Sequence, residues 1–227
     1  MKNALSMALI AALAAGSSMA AHAYEEGGFL LRVGATTVDP DVDSDPIVLP
    51  GDVVLPKGVD VDEDTQLGII PVWMPDANWG VELLLATPFK HDITVPDLGI
   101  DAGSTKHLPP TLSIQWYPRG GKTGWQPYFG VGVNYTVFFD EKVDSELAEA
   151  LNAVLGATKA DLELDDSLGL AAQAGVDFRI GDHWGINLGV WYIDIDTRAK
   201  IKTDVGTVKF DVEIDPLVYN VGIMYKF

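Results

Sequence analysis

The stretch that most constrains this chain is 217–227. Leu217, Tyr219, Val221, Ile223, Tyr225 and Phe227 share one face of an extended segment, and Asn220, Gly222 and Lys226 share the other. A period of two marks a β-strand with one apolar and one more polar side, because successive side chains leave opposite faces of the pleat. The alternation closes on an aromatic residue, Phe227. One such strand suits a soluble sheet equally well. Eight of them behind an export signal favour a transmembrane barrel.

The export signal is read over residues 1–23. Lys2 supplies the charged start, Met7 to Ala15 the apolar run, and Ala21-His22-Ala23 the small-x-small cleavage pattern. That run is too short for a spanning helix, which needs about 20 apolar residues. The remaining domain, 24–227, then belongs to a soluble periplasmic protein, a secreted one, or an outer-membrane barrel. With no cysteine there is no disulfide or thiol chemistry, and a net charge of −18 repels nucleic acid. The acid is concentrated in runs such as Asp39, Asp41, Asp43, Asp45 and Asp60, Asp62, Glu63, Asp64. These read as solvated loops, with divalent cations bridging to anionic lipid headgroups as the alternative. They lack the glycine and glutamate of a calcium loop, so no metal or cofactor site is assigned.

Eight alternating segments are expected as strands, at 28–38, 66–74, 79–87, 107–117, 125–139, 167–180, 184–195 and 210–227. The links between them alternate strictly. Residues 75–78, 118–124 and 181–182 are short and rich in turn formers, whereas 39–65, 88–106, 140–166 and 196–209 are long and mostly acidic. Short periplasmic turns alternating with long external loops define an eight-stranded antiparallel outer-membrane barrel, with lipid and lipopolysaccharide as its surroundings. Parity places Phe29, Leu31, Val33, Leu112, Ile114, Phe129, Val131, Leu168, Leu170, Ile186 and Leu188 towards lipid. Trp73, Trp79, Trp116, Trp125, Trp184, Tyr225 and Phe227 fall near the short turns, where an interfacial aromatic girdle belongs.

The sequence resembles the OmpW family of small outer-membrane barrels, which includes the hydrocarbon-uptake protein AlkL. The resemblance rests on Lys106-His107-Leu108-Pro109-Pro110-Thr111, on Pro127 to Thr136 followed by Phe138-Phe139, and on Ala86-Thr87-Pro88-Phe89-Lys90-His91. It covers essentially the whole of 24–227. It implies passive entry of small apolar molecules through a narrow barrel.

Eight strands enclose a lumen only wide enough for side chains or one small ligand. By parity the inward charges are Arg32, Glu82, Asp177, Arg179 and Lys226, all towards the periplasmic end. They are expected to form a charged plug closing the bottom, or simply to pack there. Ile70, Val72, Leu84, Phe138, Trp191 and Ile193 are expected to line an apolar upper lumen, or equally to fill the core of a small barrel. Such a funnel suits greasy solutes and disfavours ions. A closed floor requires another exit. Pro71, Pro88, Pro109, Pro110, Pro127 and Pro216 each remove a ladder donor, so a weakened seam is the candidate lateral opening; ordinary bulges or strand ends are the alternative. A helix is expected over 145–157, capped by Asp144, as a lid or as loop packing.

Two other functions compete. A lipid hydrolase would need a serine beside a base, but His107 and Ser113 stand about 20 Å apart along a strand, and His91 and His183 have no evident serine. A structural barrel, or a receptor for phage or colicin, would also use long exposed loops.

Overall fold

The computed structural model describes residues 24, 26–49, 53–120 and 124–227. The expected secretory signal, 1–23, lies outside the described residues. Eight antiparallel strands form the barrel. They are β1 (Gly28–Asp39), β2 (Asp64–Asp76), β3 (Trp79–Ala86), β4 (Thr111–Trp116), β5 (Trp125–Val143), β6 (Ser167–Ile180), β7 (Trp184–Ile193) and β8 (Leu217–Lys226). Around the sheet the order is β4-β3-β2-β1-β8-β7-β6-β5, and β4 pairs with β5 to close it. Closure gives every one of these strands a neighbour on both sides, though not along its full length, which suits a membrane where water cannot satisfy an open edge.

Alternation decides which face meets lipid. Leu112, Ile114, Val131, Leu170, Val221 and Ile223 are exposed, while Arg32, Glu82, Gln115, Asn134, Asp177 and Asn220 are buried inside. Trp73, Trp79, Trp116, Trp125 and Trp184 are exposed around one end, and Tyr135, Tyr192 and Tyr219 around the other. On β5, Trp125 and Tyr135 stand roughly ten steps apart, or about 26 Å along the membrane normal at a tilt near 40°. That matches the apolar band of an outer-membrane barrel.

Large inward side chains need small neighbours in so narrow a tube. A Cβ on Gly175 would meet the Tyr128 hydroxyl at 2.3 Å, and one on Gly189 the Trp191 ring at 2.5 Å. Glycine at these two positions makes room for those rings.

The external segments are more ordered than acidic loops would be. Residues Phe89–Val95 and Ile100–Leu108 form a hairpin standing above the barrel, and Ile100–Leu108 also pairs with the upper part of β5. Ala160–Leu164, Asp196–Thr203, Gly206–Glu213 and Asp43–Ser44 form a four-stranded sheet. Helix α1 (Ser145–Leu155) begins on Asp144, whose side chain accepts from the Glu146 amide, and ends on Gly156 at φ 71°. Together these bury Ile47, Ile93, Val95, Leu147, Leu151, Ile201, Phe210 and Val212 in a second core. Two expected strands are also divided. The fourth breaks at Pro109-Pro110, and the eighth breaks between Glu213 and Leu217, where Asp215 has φ 35°.

Candidate functional site

The barrel interior is stacked in layers. Lowest lies an apolar layer of Tyr24, Leu30, Val72, Met74, Tyr117, Tyr128 and Met224. Above it Arg32 is fully buried between two carboxylates. Its Nε and Nη2 donate to Asp177 at 3.0 and 2.7 Å, its Nη1 to Glu82 at 2.6 Å, and its Nη2 also to the Tyr117 hydroxyl at 2.8 Å. The guanidinium lies 4.4 Å from the centre of the Tyr128 ring. Glu82 accepts further bonds from Gln115, Gln173 and the Trp191 indole, and Asp177 from Asn187 and the Tyr24 hydroxyl. Every carboxylate oxygen here has two donors. A buried ionic network can persist only when its members are satisfied in this way.

The five expected plug residues therefore separate. Arg32, Glu82 and Asp177 meet in one network. Arg179 is half-buried near the Tyr24 ring and donates to the Asp182 carbonyl in the periplasmic turn, while Lys226 lies at the last pair of β1 and β8. Parity placed all five inside, but parity carries no depth. Tyr24 was not among the expected residues; as a single residue preceding β1 it has no periodicity to reveal it.

Above the network, Val38, Ile70, Leu84, Phe89, Phe138, Ala171, Trp191, Ile193, Ile195 and Val218 fill the lumen. An open cavity of about 170 Å³ lies higher still, between this layer and the external core. Of the six residues expected to line a channel, Phe138 is on its wall. Ile70, Leu84, Trp191 and Ile193 are packed in the layer beneath, because eight strands leave a tube that its own side chains fill. Val72 belongs to the lower apolar layer, beside Glu82 in register and one inward position nearer the periplasm than Ile70.

The cavity wall comes mainly from the external segments: Ile47, Ile93, Val95 and Phe210 from strands, and Leu147, Ala150, Leu151 and Val154 from α1. Its polar side chains are His91, Thr105, His107 and Thr197. The two histidines are diagonal neighbours on one face of the external hairpin, with Nε2 atoms 2.9 Å apart. His91 Nδ1 lies against the Asp62 carbonyl, which can only accept, so that nitrogen carries the proton. His107 is sandwiched by Phe89 and Phe138, with ring centroids 5.4 and 5.8 Å away. The neighbouring ion pair of Lys106 with Asp140, at 2.7 Å, points outward and puts this level above the hydrocarbon. Burial, then the adjacent His91, hold His107 down to about 3, and burial lowers His91 as well. Both rings are neutral at ordinary pH.

Beside this pair the wall loses hydrogen bonds. Leu84 opposes Thr111, and the next pair upward is Phe89 with His107. Residues 85–88 and 108–110 between those pairs face each other unpaired, and Pro88, Pro109 and Pro110 account for the missing donors. On the other side of β3 the ladder with β2 lacks pairs between Ile69–Leu85 and Val72–Glu82, where Pro71 sits. Pro127 lies near the periplasmic end of β5, and Pro216 precedes β8, so neither borders this gap.

At the external rim the carboxylates of Asp194, Asp196 and Asp215 lie within 4.8 Å of one another, a hard oxygen set of the kind divalent cations take. Burial, reinforced by Asp194 and Asp215, raises Asp196 above the ordinary carboxylate range.

The model of the OmpW family matches residues 25–227. Outer membrane protein W of Vibrio cholerae is 40% identical over 222 residues, covering 96% of this chain and 97% of that protein. The crystal structure of the outer membrane protein OprG from Pseudomonas aeruginosa superposes with a TM-score of 0.79 at 42% identity, over 90% of this chain and 98% of that one. The outer membrane protein AlkL in lipid bilayers, at 21% identity and a TM-score of 0.66, covers 95% of this chain and 97% of its own and shares the fold.

Proposed function

This chain belongs to the OmpW family of outer-membrane barrels, and from that premise we propose that it admits small hydrophobic molecules passively across the outer membrane. The observation that carries this reading is an almost wholly apolar cavity standing directly above a sealed lumen. A solute in the cavity meets a packed layer and then a fully bonded ionic network beneath it. Ions and polar solutes would lose their hydration there without replacement. The unpaired segment between β3 and β4 offers the way out, sideways into lipid. His107, on the cavity wall, forms the first pair above that gap.

No enzymatic activity is assigned. His91 and His107 bond to each other, and Ser113 lies on the far side of the Pro109-Pro110 break. The test is to fill the cavity. Ala102 is buried on its wall, and Ala102→Trp should reduce uptake of an alkane-sized solute to the level of cells without the barrel. Full uptake by a folded Ala102→Trp barrel would overturn the reading.

A further inference from the structure

Three buried residues of the packed layer also stand on the cavity wall: Val38, Phe138 and Ile195. Val38 lies on β1 and Ile195 follows β7, away from the unpaired stretch between β3 and β4. Phe138 borders that stretch. It opposes His107 on the neighbouring strand, and His107 opposes Phe89 on the next. The three rings form one row, with the Phe89–His107 and His107–Phe138 centroids 5.4 and 5.8 Å apart. Directly beneath the row, residues 85–88 and 108–110 face each other unpaired. Ala86, within that stretch, packs against the layer that holds Phe89 and Phe138. Phe138 and His107 are on the cavity wall, but Phe89 is not, and it is only 1% exposed. The row is the partition between the cavity and the gap.

Its members differ in freedom. His107 is tied through Nε2 to His91, which is itself held on the Asp62 carbonyl. The side chains of Phe89 and Phe138 carry no polar atom, and a phenyl ring turns about a broad χ2. Val38 and Ile195 are stiff at χ1. A phenyl plate can therefore swing aside without breaking a hydrogen bond, while the histidine between the two stays fixed.

We propose that Phe138, His107 and Phe89 form the gate between the cavity and the lateral gap, and that this gate selects solutes by cross-section. It rests on the hydrophobic-entry reading with its sideways exit and names what decides passage. A thin chain or a flat ring slips past a turned phenyl plate. A globular hydrocarbon has to drive the same ring off its rotamer.

The test compares n-octane with adamantane, hydrocarbons of equal molecular volume and different cross-section. Both are supplied to cells with an intact lipopolysaccharide leaflet, and entry into cells lacking the barrel is subtracted. Octane should enter faster by roughly 2- to 12-fold, the size of one ring displaced from its rotamer. Phe89→Ala should bring that ratio close to one. Phe89→Leu, which keeps more of the packing, should move it the same way and decides the matter if the alanine variant does not fold. Phe210→Ala enlarges the cavity from the external sheet and leaves the row intact. If it moves the ratio as far as Phe89→Ala does, selection lies in cavity volume and the gate is overturned. Equal entry of the two hydrocarbons through the wild-type barrel, or a ratio unmoved by both Phe89 variants, would also overturn the gate and leave hydrophobic entry standing. No octane entry above the level of barrel-free cells would overturn both.

Discussion

Arg32→Met removes the cation from a layer that keeps two buried carboxylates. Arg32 makes four hydrogen bonds to three partners, and the side chains of Arg32, Glu82 and Asp177 are fully buried. Removing one member of a buried ion pair costs about 3–5 kcal/mol, chiefly because the remaining charge has lost its partner. The loss has a ceiling. A stranded carboxylate can take up a proton, and at pH 7 that costs about 4 kcal/mol from its reference value. We therefore expect Arg32→Met to lower the unfolding free energy by about 4 kcal/mol, measured by urea titration of the barrel in lipid vesicles. Adding Glu82→Gln and Asp177→Asn removes the stranded charges and should recover at least half of that. The amides also keep acceptors for Gln115, Tyr24 and Asn187. A loss below about 1 kcal/mol, or a triple variant no more stable than the single one, would refute the view that this layer is held by charge compensation.

Four further outcomes follow from the geometry. Gly175→Ala should displace Tyr128, whose hydroxyl lies 2.3 Å from the added Cβ, and cost about 1–3 kcal/mol in the same titration. Asp144→Ala should loosen α1 by about 1 kcal/mol, read as faster hydrogen exchange at the Glu146 amide that Asp144 holds. The external hairpin should weaken below pH 6.5, since His107 is held down to about 3 and the unfolded hairpin binds a proton that the folded one refuses. The slope is about 1.4 kcal/mol per pH unit until the folded value is reached, and stability returns as pH rises. Amide exchange across Phe89–Val95, corrected for intrinsic rates, should show it, and His107→Gln should flatten it. Pro109→Ala with Pro110→Ala restores ladder donors at the seam and should slow apolar uptake; unchanged uptake would remove the lateral exit.

The barrel is legible in the sequence because its constraint is local. Period-two alternation assigns a face to each residue, and the alternation of short turns with long links assigns the two ends, so the lipid-facing positions follow directly. Depth does not. Ile70 and Val72 have the same parity, yet the first packs in the upper apolar layer and the second in the lower one. Arg179 and Lys226 were grouped with Arg32 for the same reason. The external core was obscured by acid, although its alternation is present: in Val208-Lys209-Phe210-Asp211-Val212 the apolar residues are buried and the charged ones exposed. Reading those segments as extended strands would have found it. The His91–His107 contact depends on a register that 89–108 does not reveal by eye. A turn through Gly99 at φ 65° and a shift between Ile93 and Thr94 set it.

Selective passive entry of apolar solutes is put to the test by paired uptake. Cells with an intact lipopolysaccharide leaflet, with and without this barrel, would be given an alkane-sized hydrocarbon and a polar solute of equal size. Faster entry of the hydrocarbon alone is expected. Faster entry of the polar solute would contradict it, because no such solute should pass a lumen closed by Arg32, Glu82 and Asp177.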